Sequence, residues 1–156
     1  MSRPSPRAAA EPASTAACGT VTRVLPRSVG GRAGLRPGDC LLAINGRPLR
    51  DVIDVQFFAA EEELEFEYRR DAQVIRRRVR RSYRDPLGIE FATLLFDGLR
   101  ECDNHCAFCF VRQMPAGLRD TLYVYDDDYR YSFLHAGFVT LTNLSEADWE
   151  RLAEQR

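Results

Sequence analysis

The segment that decides the fold of the first half of the chain reads Gly34-Leu-Arg-Pro-Gly-Asp-Cys-Leu-Leu-Ala-Ile-Asn-Gly46. Its glycines and its proline favour a loop, and the short apolar run Cys40–Ile44 that follows them favours a strand. Asn45-Gly46 then closes the strand, because both residue types tolerate the positive φ angles of a tight turn. A loop, a strand and a tight turn in this order indicate one small mixed domain over residues 18–91.

The segments on either side supply further elements of this domain. Thr20–Leu25 is rich in β-branched residues and favours a strand, whereas Pro26–Gly38 favours a loop with at most one helical turn. Asp51 is a suitable N-cap for a helix that extends to about Ala60. The residues Val52–Ala59 are mostly apolar, so their pattern also leaves a strand open.

A charged hairpin is predicted next. Leu64, Phe66 and Tyr68 alternate with glutamates, which is the period of a half-buried strand, and Val74–Val79 forms the second strand. Five arginines at residues 76–81 raise the question of nucleic-acid binding. In a hairpin they lie opposite the glutamates, where each pair contributes roughly 0.2–1 kcal/mol. No aromatic platform accompanies them, so we expect cross-strand ion pairs and no nucleic-acid partner.

The Gly34–Gly46 segment resembles the corresponding segment of bacterial PDZ domains. The resemblance implies a module that binds an extended peptide or protein C-terminus by strand addition. Its carboxylate loop has a glycine between two apolar residues, and Leu87-Gly88-Ile89 is the candidate. Because this candidate lies at the end of the domain, a permuted strand order is implied. The role left open beside peptide binding is a scaffold that only packs against its neighbour, and we favour that role.

The second half of the chain is organised around Cys102-Asp-Asn-His-Cys-Ala-Phe-Cys109, which holds three of the five cysteines. Thiolates this close in sequence indicate one metal centre.

The first 17 residues are rich in Ala, Pro and Ser, lack the apolar region of a signal peptide, and predict a disordered tail. We therefore expect a reducing, cytoplasmic compartment, with Cys18 and Cys40 as unpaired, buried small residues.

The spacing of the three cysteines is compatible with two kinds of metal centre, a zinc site or an iron–sulfur cluster. A structural zinc site needs four protein ligands, and the fourth would have to be His105 or His135. A [4Fe–4S] cluster usually takes four cysteines, so three cysteines leave one iron open, as a catalytic site requires. The count of three therefore favours the cluster. A PDZ-type peptide-binding module with a structural zinc site is the alternative.

Cys102, Cys106, Phe108 and Cys109 match the CxxxCxΦC motif of the radical SAM superfamily, which this chain resembles. The resemblance implies a [4Fe–4S] cluster that binds S-adenosylmethionine (SAM) at its open iron, with Phe108 beside the cofactors. One electron from the cluster cleaves SAM and yields a 5′-deoxyadenosyl radical. An electron donor and a substrate are thereby implied, and the substrate is unknown. Phe108 and its apolar neighbours are expected to cover the cysteines.

A narrower likeness connects the two halves. Three segments are similar to bacterial radical SAM proteins with an N-terminal PDZ-like domain and a C-terminal domain of unknown function: Cys106–Arg119, Leu122–Leu134 and Phe138–Leu144. The likeness implies an α+β PDZ-like domain at 18–91, followed at 92–156 by the start of an α/β barrel. This partial TIM-type barrel would carry the cluster loop at 97–112.

Within that barrel, Phe138–Leu144 is expected to form the second strand, and Ser145 with Asp148 to cap the next helix. In radical SAM proteins this strand commonly ends in Gly-Gly-Glu, which holds the amino group of SAM. Here Thr140-Leu-Thr-Asn143 takes that place, so Thr142 and Asn143 are the SAM-binding candidates.

The remaining inferences concern charge and length. Asp126–Asp128 predicts either an exposed acidic turn or a segment that shapes the cluster loop by pairing with an arginine. The net charge of −1 and the lack of an apolar run of roughly 20 residues give no membrane partner. A barrel takes roughly 200 residues or more. The chain to Arg156 is therefore expected to be a truncated member, inactive as an enzyme in this form although full-length members are enzymes.

Overall fold

The structure is a computed structural model that describes residues 17–156. The predicted tail over residues 1–17 lies outside the described residues except for Ala17. The strands are β1 (Gly19–Val24), β2 (Cys40–Ile44), β3 (Arg47–Pro48), β4 (Glu63–Arg70), β5 (Gln73–Arg80) and β6 (Ile89–Phe91). The helices are α1 (Val29–Arg32), α2 (Val52–Phe58), α3 (Phe110–Gln113), α4 (Tyr129–His135) and α5 (Glu146–Glu154), with a 3₁₀ turn at Asp120–Tyr123.

The strands form one antiparallel sheet in the order β5-β4-β2-β1-β6, with β3 paired to β2. β6 returns to the first strand of the domain, with Val24 opposite Ile89. The predicted α+β domain is therefore confirmed, and so are the single turn of α1 and the helix that Asp51 caps. The permuted strand order implied by the position of Leu87-Gly88-Ile89 corresponds to this return of β6.

The core lies between the sheet and helices α1 and α2. The alternation in β4 is realised as predicted, because Leu64, Phe66 and Tyr68 are buried while Glu63 is exposed. The Tyr68 hydroxyl donates to the Ala33 carbonyl at 3.2 Å, so its polar end is satisfied inside the core. Other fully buried members of the core are Val21, Val29, Leu41, Ile44, Leu49 and Val55.

The outer face of the β4–β5 hairpin is a ladder of opposite charges. Glu65 lies opposite Arg78 and Glu67 opposite Arg76, with Nε–Oε2 distances of 2.5 and 2.6 Å. The predicted cross-strand ion pairs are therefore confirmed. These pairs are exposed to solvent, so each contributes at most about 1 kcal/mol.

Close packing holds β6 against α1. Gly88 has a φ angle of +65°, and a Cβ atom there would lie 2.3 Å from the Cβ atom of Ser28. The Gly30 amide donates to the Leu87 carbonyl at 3.0 Å. Position 88 therefore requires glycine both for its conformation and for its space.

Cys18 and Cys40 form a disulfide, with their Cα atoms 5.5 Å apart. The prediction that both would be unpaired was wrong. Cys18 directly precedes β1 and Cys40 begins β2, and antiparallel pairing of these strands brings the two residues within disulfide range.

The region after β6 does not form the predicted second barrel strand within the described residues. The apolar run Phe91–Phe96 is a strand only up to Phe91, and Phe138–Leu144 is irregular. The Thr140 amide donates to the Asp127 carboxylate at 2.7 Å instead of to a neighbouring strand. A β-branched composition favours a strand only where a partner supplies the backbone bonds. The partial TIM-type barrel is therefore not seen in residues 92–156.

The predicted capping of α5 is confirmed. Ser145 and Asp148 form a reciprocal capping box at its N-terminus. No helix within residues 17–156 has both the length and the apolar character needed to cross a bilayer.

A buried ion pair fixes the Gly34–Asp39 loop to the end of β4. Arg70 donates to both oxygens of Asp39 at 2.8 Å, and the Arg36 amide donates to the same carboxylate at 2.8 Å. Asp39 is only 2% exposed. Burial raises its pKa, but the hydrogen bonds from Arg70 and Arg36 lower it by more, so the pKa of Asp39 lies below its usual value.

We predict that Asp39→Asn lowers the free energy of unfolding at pH 7 by about 1.5–3 kcal/mol, the contribution of hydrogen bonds to a charged group. Because the folded-state pKa of Asp39 is depressed, its stabilisation is complete above the unfolded-state pKa. It is lost as the pH falls through the folded-state pKa. The difference from the parent chain in urea denaturation should therefore shrink between pH 7 and pH 3.

Glu90→Gln is the matched control, because it removes the exposed pair with Arg23, 3.2 Å apart. Its effect should stay within about 0.5 kcal/mol. Equal stabilities of the two variants at pH 7 would contradict the role given to Asp39.

Candidate metal centre

The three cysteines of the second half lie in the loop that leads into α3. Cys102, Cys106 and Cys109 are free thiols, each partly exposed, and Cys109 is the residue before the first turn of α3. The Cys102 amide donates to the Tyr125 carbonyl at 2.7 Å, which ties the start of the loop to a neighbouring segment. The Cys109 amide donates to the Cys106 carbonyl at 3.2 Å.

The aromatic cover predicted for this loop is not formed. Phe108 is 84% exposed and Phe110 is 70% exposed, while Val111 is buried. Phe108 therefore points into solvent and not over the cysteines, so the predicted apolar cover was wrong for this residue.

The thiols do not converge on one point in this structure. Among residues 17–156, no three His, Cys, Asp or Glu side chains are placed so that they could hold one metal ion. The donor chemistry nevertheless fits an iron–sulfur cluster, because three free thiols lie within eight residues. The Asn104 amide also lies 3.4 Å from the Cys102 sulfur, and such N–H donors to sulfur tune a cluster's potential.

Both histidines considered for zinc are engaged elsewhere. The His105 ring is hydrogen-bonded to the Arg112 guanidinium, and the His135 ring packs against Tyr131 with centroids 4.4 Å apart. A fourth protein ligand for zinc would require one of these contacts to break.

The predicted SAM-binding residue Thr142 lies beside the cysteine loop. Asn104 donates to the Thr142 hydroxyl at 2.6 Å and to the Thr140 hydroxyl at 3.3 Å. Thr140 donates in turn to Asp127 at 2.5 Å. The segment predicted as a barrel strand is therefore held against the loop by side-chain hydrogen bonds.

Asn143, the other predicted SAM-binding residue, also reaches this loop. Its Nδ2 donates to the carbonyls of Asp127 at 3.0 Å and Glu101 at 3.3 Å. Its Oδ1 is buried and has no hydrogen-bond partner among the described residues. A buried acceptor without a donor is costly, so this oxygen is available to a donor from a ligand.

The acidic run Asp126–Asp128 shapes the loop rather than forming an exposed turn. Asp127 and Asp128 are each only 1% exposed. Asp128 caps α4 and accepts the Arg100 amide at 3.1 Å, two residues before Cys102. Burial raises the pKa of Asp128, but the Arg130 guanidinium lowers it by more, so this carboxylate has a pKa below its usual value.

Arg130 is the arginine that pairs with this run, and it is completely buried. It donates to both oxygens of Asp128 at 2.9 and 2.7 Å and to Asp97 at 2.7 Å. It also donates to the Gly98 carbonyl at 3.1 Å and lies 3.5 Å from Asp51. One side chain therefore contacts the start of the cysteine loop, the start of α4 and the start of α2.

A second buried arginine, Arg151 of α5, contacts the same end of α2. Its Nη2 lies 2.6 Å from Asp51 and 2.8 Å from Asp54, and its Nη1 donates to the Tyr129 hydroxyl at 3.0 Å. Neither arginine could be identified from the sequence, because most of their partners, such as Asp51 and Asp97, lie far away in the chain. The available signal was the pairing of Asp126–Asp128 with an arginine, which did not specify Arg130.

The start of α5 is fixed to the residues just before Cys102. Arg100 donates to both oxygens of Asp148 at 2.7 and 2.9 Å. Burial raises the pKa of Asp148, but Arg100 and the capping Ser145 lower it by more, to well below the usual range.

Comparisons with known families agree with this arrangement. Residues 20–70 match the PDZ domain, and residues 81–156 match the Radical SAM-like domain. No curated protein matches the chain. The chain therefore combines a PDZ domain with a Radical SAM-like domain that follows it. This combination and order of domains is the one that the sequence resemblance predicted.

We predict that Asp127→Asn loosens the segment beside the cysteine loop. An asparagine keeps one acceptor but cannot accept from both the amide and the hydroxyl of Thr140 with a charged oxygen each. Hydrogen exchange of the Thr140 amide should accelerate roughly tenfold or more, as expected for the loss of one charge-assisted hydrogen bond. Mass spectrometry of peptides that cover residues 138–144 measures this change.

Asp126→Asn is the matched control, because Asp126 is the exposed neighbour of Asp127 in the same run. It should leave the Thr140 exchange rate unchanged. Equal acceleration in both variants would show that Asp127 has no special role.

Proposed function

We propose that the chain holds a [4Fe–4S] cluster on Cys102, Cys106 and Cys109 and binds SAM at the iron that lacks a protein ligand. The observation that carries the proposal is the set of three free thiols in the CxxxCxΦC spacing, inside residues that match the Radical SAM-like domain. When bound, the cluster supplies the electron that cleaves SAM reductively. The reaction class is radical generation for hydrogen abstraction from a substrate.

The surrounding residues would bind and orient the cofactors. Asn143 offers a buried, unpaired oxygen that can accept a hydrogen bond from the amino group of SAM. Thr142 lies beside Asn104, which also contacts the Cys102 sulfur. Together these side chains link the cluster ligand to the proposed SAM contacts.

Two partners follow from the chemistry. An electron donor must reduce the cluster before each cleavage, and a substrate must supply the hydrogen atom. Free cysteine ligands and an oxygen-sensitive cluster fit a reducing compartment such as the cytoplasm, whereas the Cys18–Cys40 disulfide is unusual for such a compartment.

Anaerobic reconstitution with iron and sulfide tests the proposal. The expected result is a brown protein with broad visible absorption and about four iron and four sulfide per chain. The reduced cluster should give an electron paramagnetic resonance signal that changes when SAM is added. The Cys102→Ala, Cys106→Ala and Cys109→Ala variants should each lose the cluster, because each removes one of three thiolate ligands.

The double variant Cys18→Ala/Cys40→Ala is the matched control, since it removes the disulfide but keeps all three proposed ligands. It should assemble the cluster as the parent chain does. Binding of one zinc ion per chain, with no cluster, would contradict the proposal and favour a structural zinc site beside a peptide-binding module.

A second activity, binding of a peptide or protein C-terminus, is favoured by the place of β6 in the sheet. β6 is a terminal strand that begins at Ile89 of the Leu87-Gly88-Ile89 candidate carboxylate loop, and one of its edges has no strand partner among the described residues. An extended peptide could add to this edge by backbone hydrogen bonds.

Fluorescence anisotropy with a library of labelled peptides tests this second activity. Peptides with a free C-terminal carboxylate should bind, and the same peptides with an amidated C-terminus should bind at least about tenfold more weakly. Equal binding of both forms would exclude carboxylate recognition.

A further inference from the structure

The PDZ domain is joined to the cysteine loop by a continuous set of contacts that begins at Asp51. One oxygen of Asp51 accepts the amides of Ile53 and Asp54 at 3.0 Å and so caps α2. The same carboxylate lies 2.6 Å from Arg151 and 3.5 Å from Arg130. Asp51 is completely buried, so it serves the helix cap and both arginines at once.

Backbone hydrogen bonds hold the connection between the domains in the same place. The Val52 amide donates to the Leu94 carbonyl at 3.0 Å, and the Phe96 amide donates to the Arg50 carbonyl at 2.8 Å. Asp51 therefore pairs with Leu95 as an antiparallel bridge. These bonds fix the segment that leads into Asp97, the next carboxylate that contacts Arg130.

From Arg130 the contacts lead to Cys102. Arg130 holds the Gly98 carbonyl directly, and it holds Asp128, which accepts the Arg100 amide. Cys102 follows two residues later and pairs with Tyr125 through its amide. Arg130 thus fixes the backbone at Gly98 and Arg100, on the N-terminal side of the first cysteine.

The electrostatics make Arg130 hard to replace. A guanidinium without solvent contact is stable only if carboxylates and carbonyls satisfy its donors. Arg130 meets this condition with three aspartates and one carbonyl, in a planar arrangement that a lysine ammonium cannot reproduce.

We propose that Arg130 is a positioning residue for the cysteine loop, and that Asp51 lets helix α2 of the PDZ domain support it. The PDZ domain then helps to determine the position of Cys102. This inference rests on the proposed function, because it concerns the loop that would carry the cluster. It can be tested on protein without a cluster, so the two can fail separately.

The test compares the alkylation rates of Cys102 and Cys109 by iodoacetamide in the full chain, read by mass spectrometry. Arg130→Lys keeps the charge but loses the bidentate geometry. It should accelerate alkylation of Cys102 roughly tenfold, the effect of losing one charge-assisted hydrogen bond. Among the described residues Cys109 makes no hydrogen bond to this network, so its alkylation rate should change less than about twofold.

Asp51→Asn tests the contribution of the PDZ domain. Asparagine caps a helix as well as aspartate does, so α2 stays intact while the charge toward Arg130 and Arg151 is removed. Alkylation of Cys102 should again rise relative to Cys109. Glu154→Gln is the matched control, because it removes an exposed contact between the same two domains, with Arg47 2.6 Å away. That control should leave both rates unchanged.

Each outcome decides the proposal. An unchanged Cys102 rate in Arg130→Lys overturns it, and so does an equal rise at Cys102 and Cys109, which would mean general loosening. A rise in Arg130→Lys but not in Asp51→Asn overturns the part that concerns the PDZ domain.

In reconstituted protein, Arg130→Lys should also alter the line shape of the reduced cluster's resonance signal while Glu154→Gln does not. A parent chain that takes up no cluster refutes the proposed function but leaves the alkylation result standing.

Discussion

The need to satisfy two buried guanidinium groups governs how the halves of this chain fit together. Arg130 and Arg151 lie on different helices of the Radical SAM-like domain, and both contact Asp51 of the PDZ domain. Removing such charges from water is costly unless carboxylates surround them. Alternative placements of α4 and α5 would leave these charges without partners, so the network selects one arrangement. Electrostatic complementarity at the N-terminal end of α2 therefore fixes the arrangement of the two domains, as apolar packing fixes the core.

Elements with local causes could be predicted from the sequence, whereas pairings between distant residues could not. The alternation of Leu64, Phe66 and Tyr68 specifies a half-buried strand by itself, and Asp51 marks a helix start by itself. The Cys18–Cys40 disulfide depends on how β1 and β2 pair, which no local pattern encodes. For Phe138–Leu144 the local pattern predicted a strand that the structure does not form. Its composition favours a strand, but its backbone bonds go to side chains and not to a neighbouring strand.

The residues of the candidate site also divide into those that a local pattern identifies and those that only distant contacts define. The three cysteines could be found from sequence because their spacing lies within eight residues and matches a specific motif. The residues that hold the loop could not, because Asp127 and Asp128 acquire their roles only through Thr140, Arg100 and Arg130. The acidic run was ambiguous for this reason, since an exposed turn and a buried anchor have the same composition. Burial, which the structure supplies, separates them.

Arg77 of β5 affects how molecules of this protein can associate with one another. β5 ends the sheet, and an open strand edge is a template for pairing with another chain. Arg77 lies on this edge directly opposite the buried Phe66, on the face that covers the core, yet its side chain remains in solvent. A second sheet stacked along β5 would have to desolvate that guanidinium without a carboxylate to receive it. The strand thus carries its own protection against edge-to-edge aggregation.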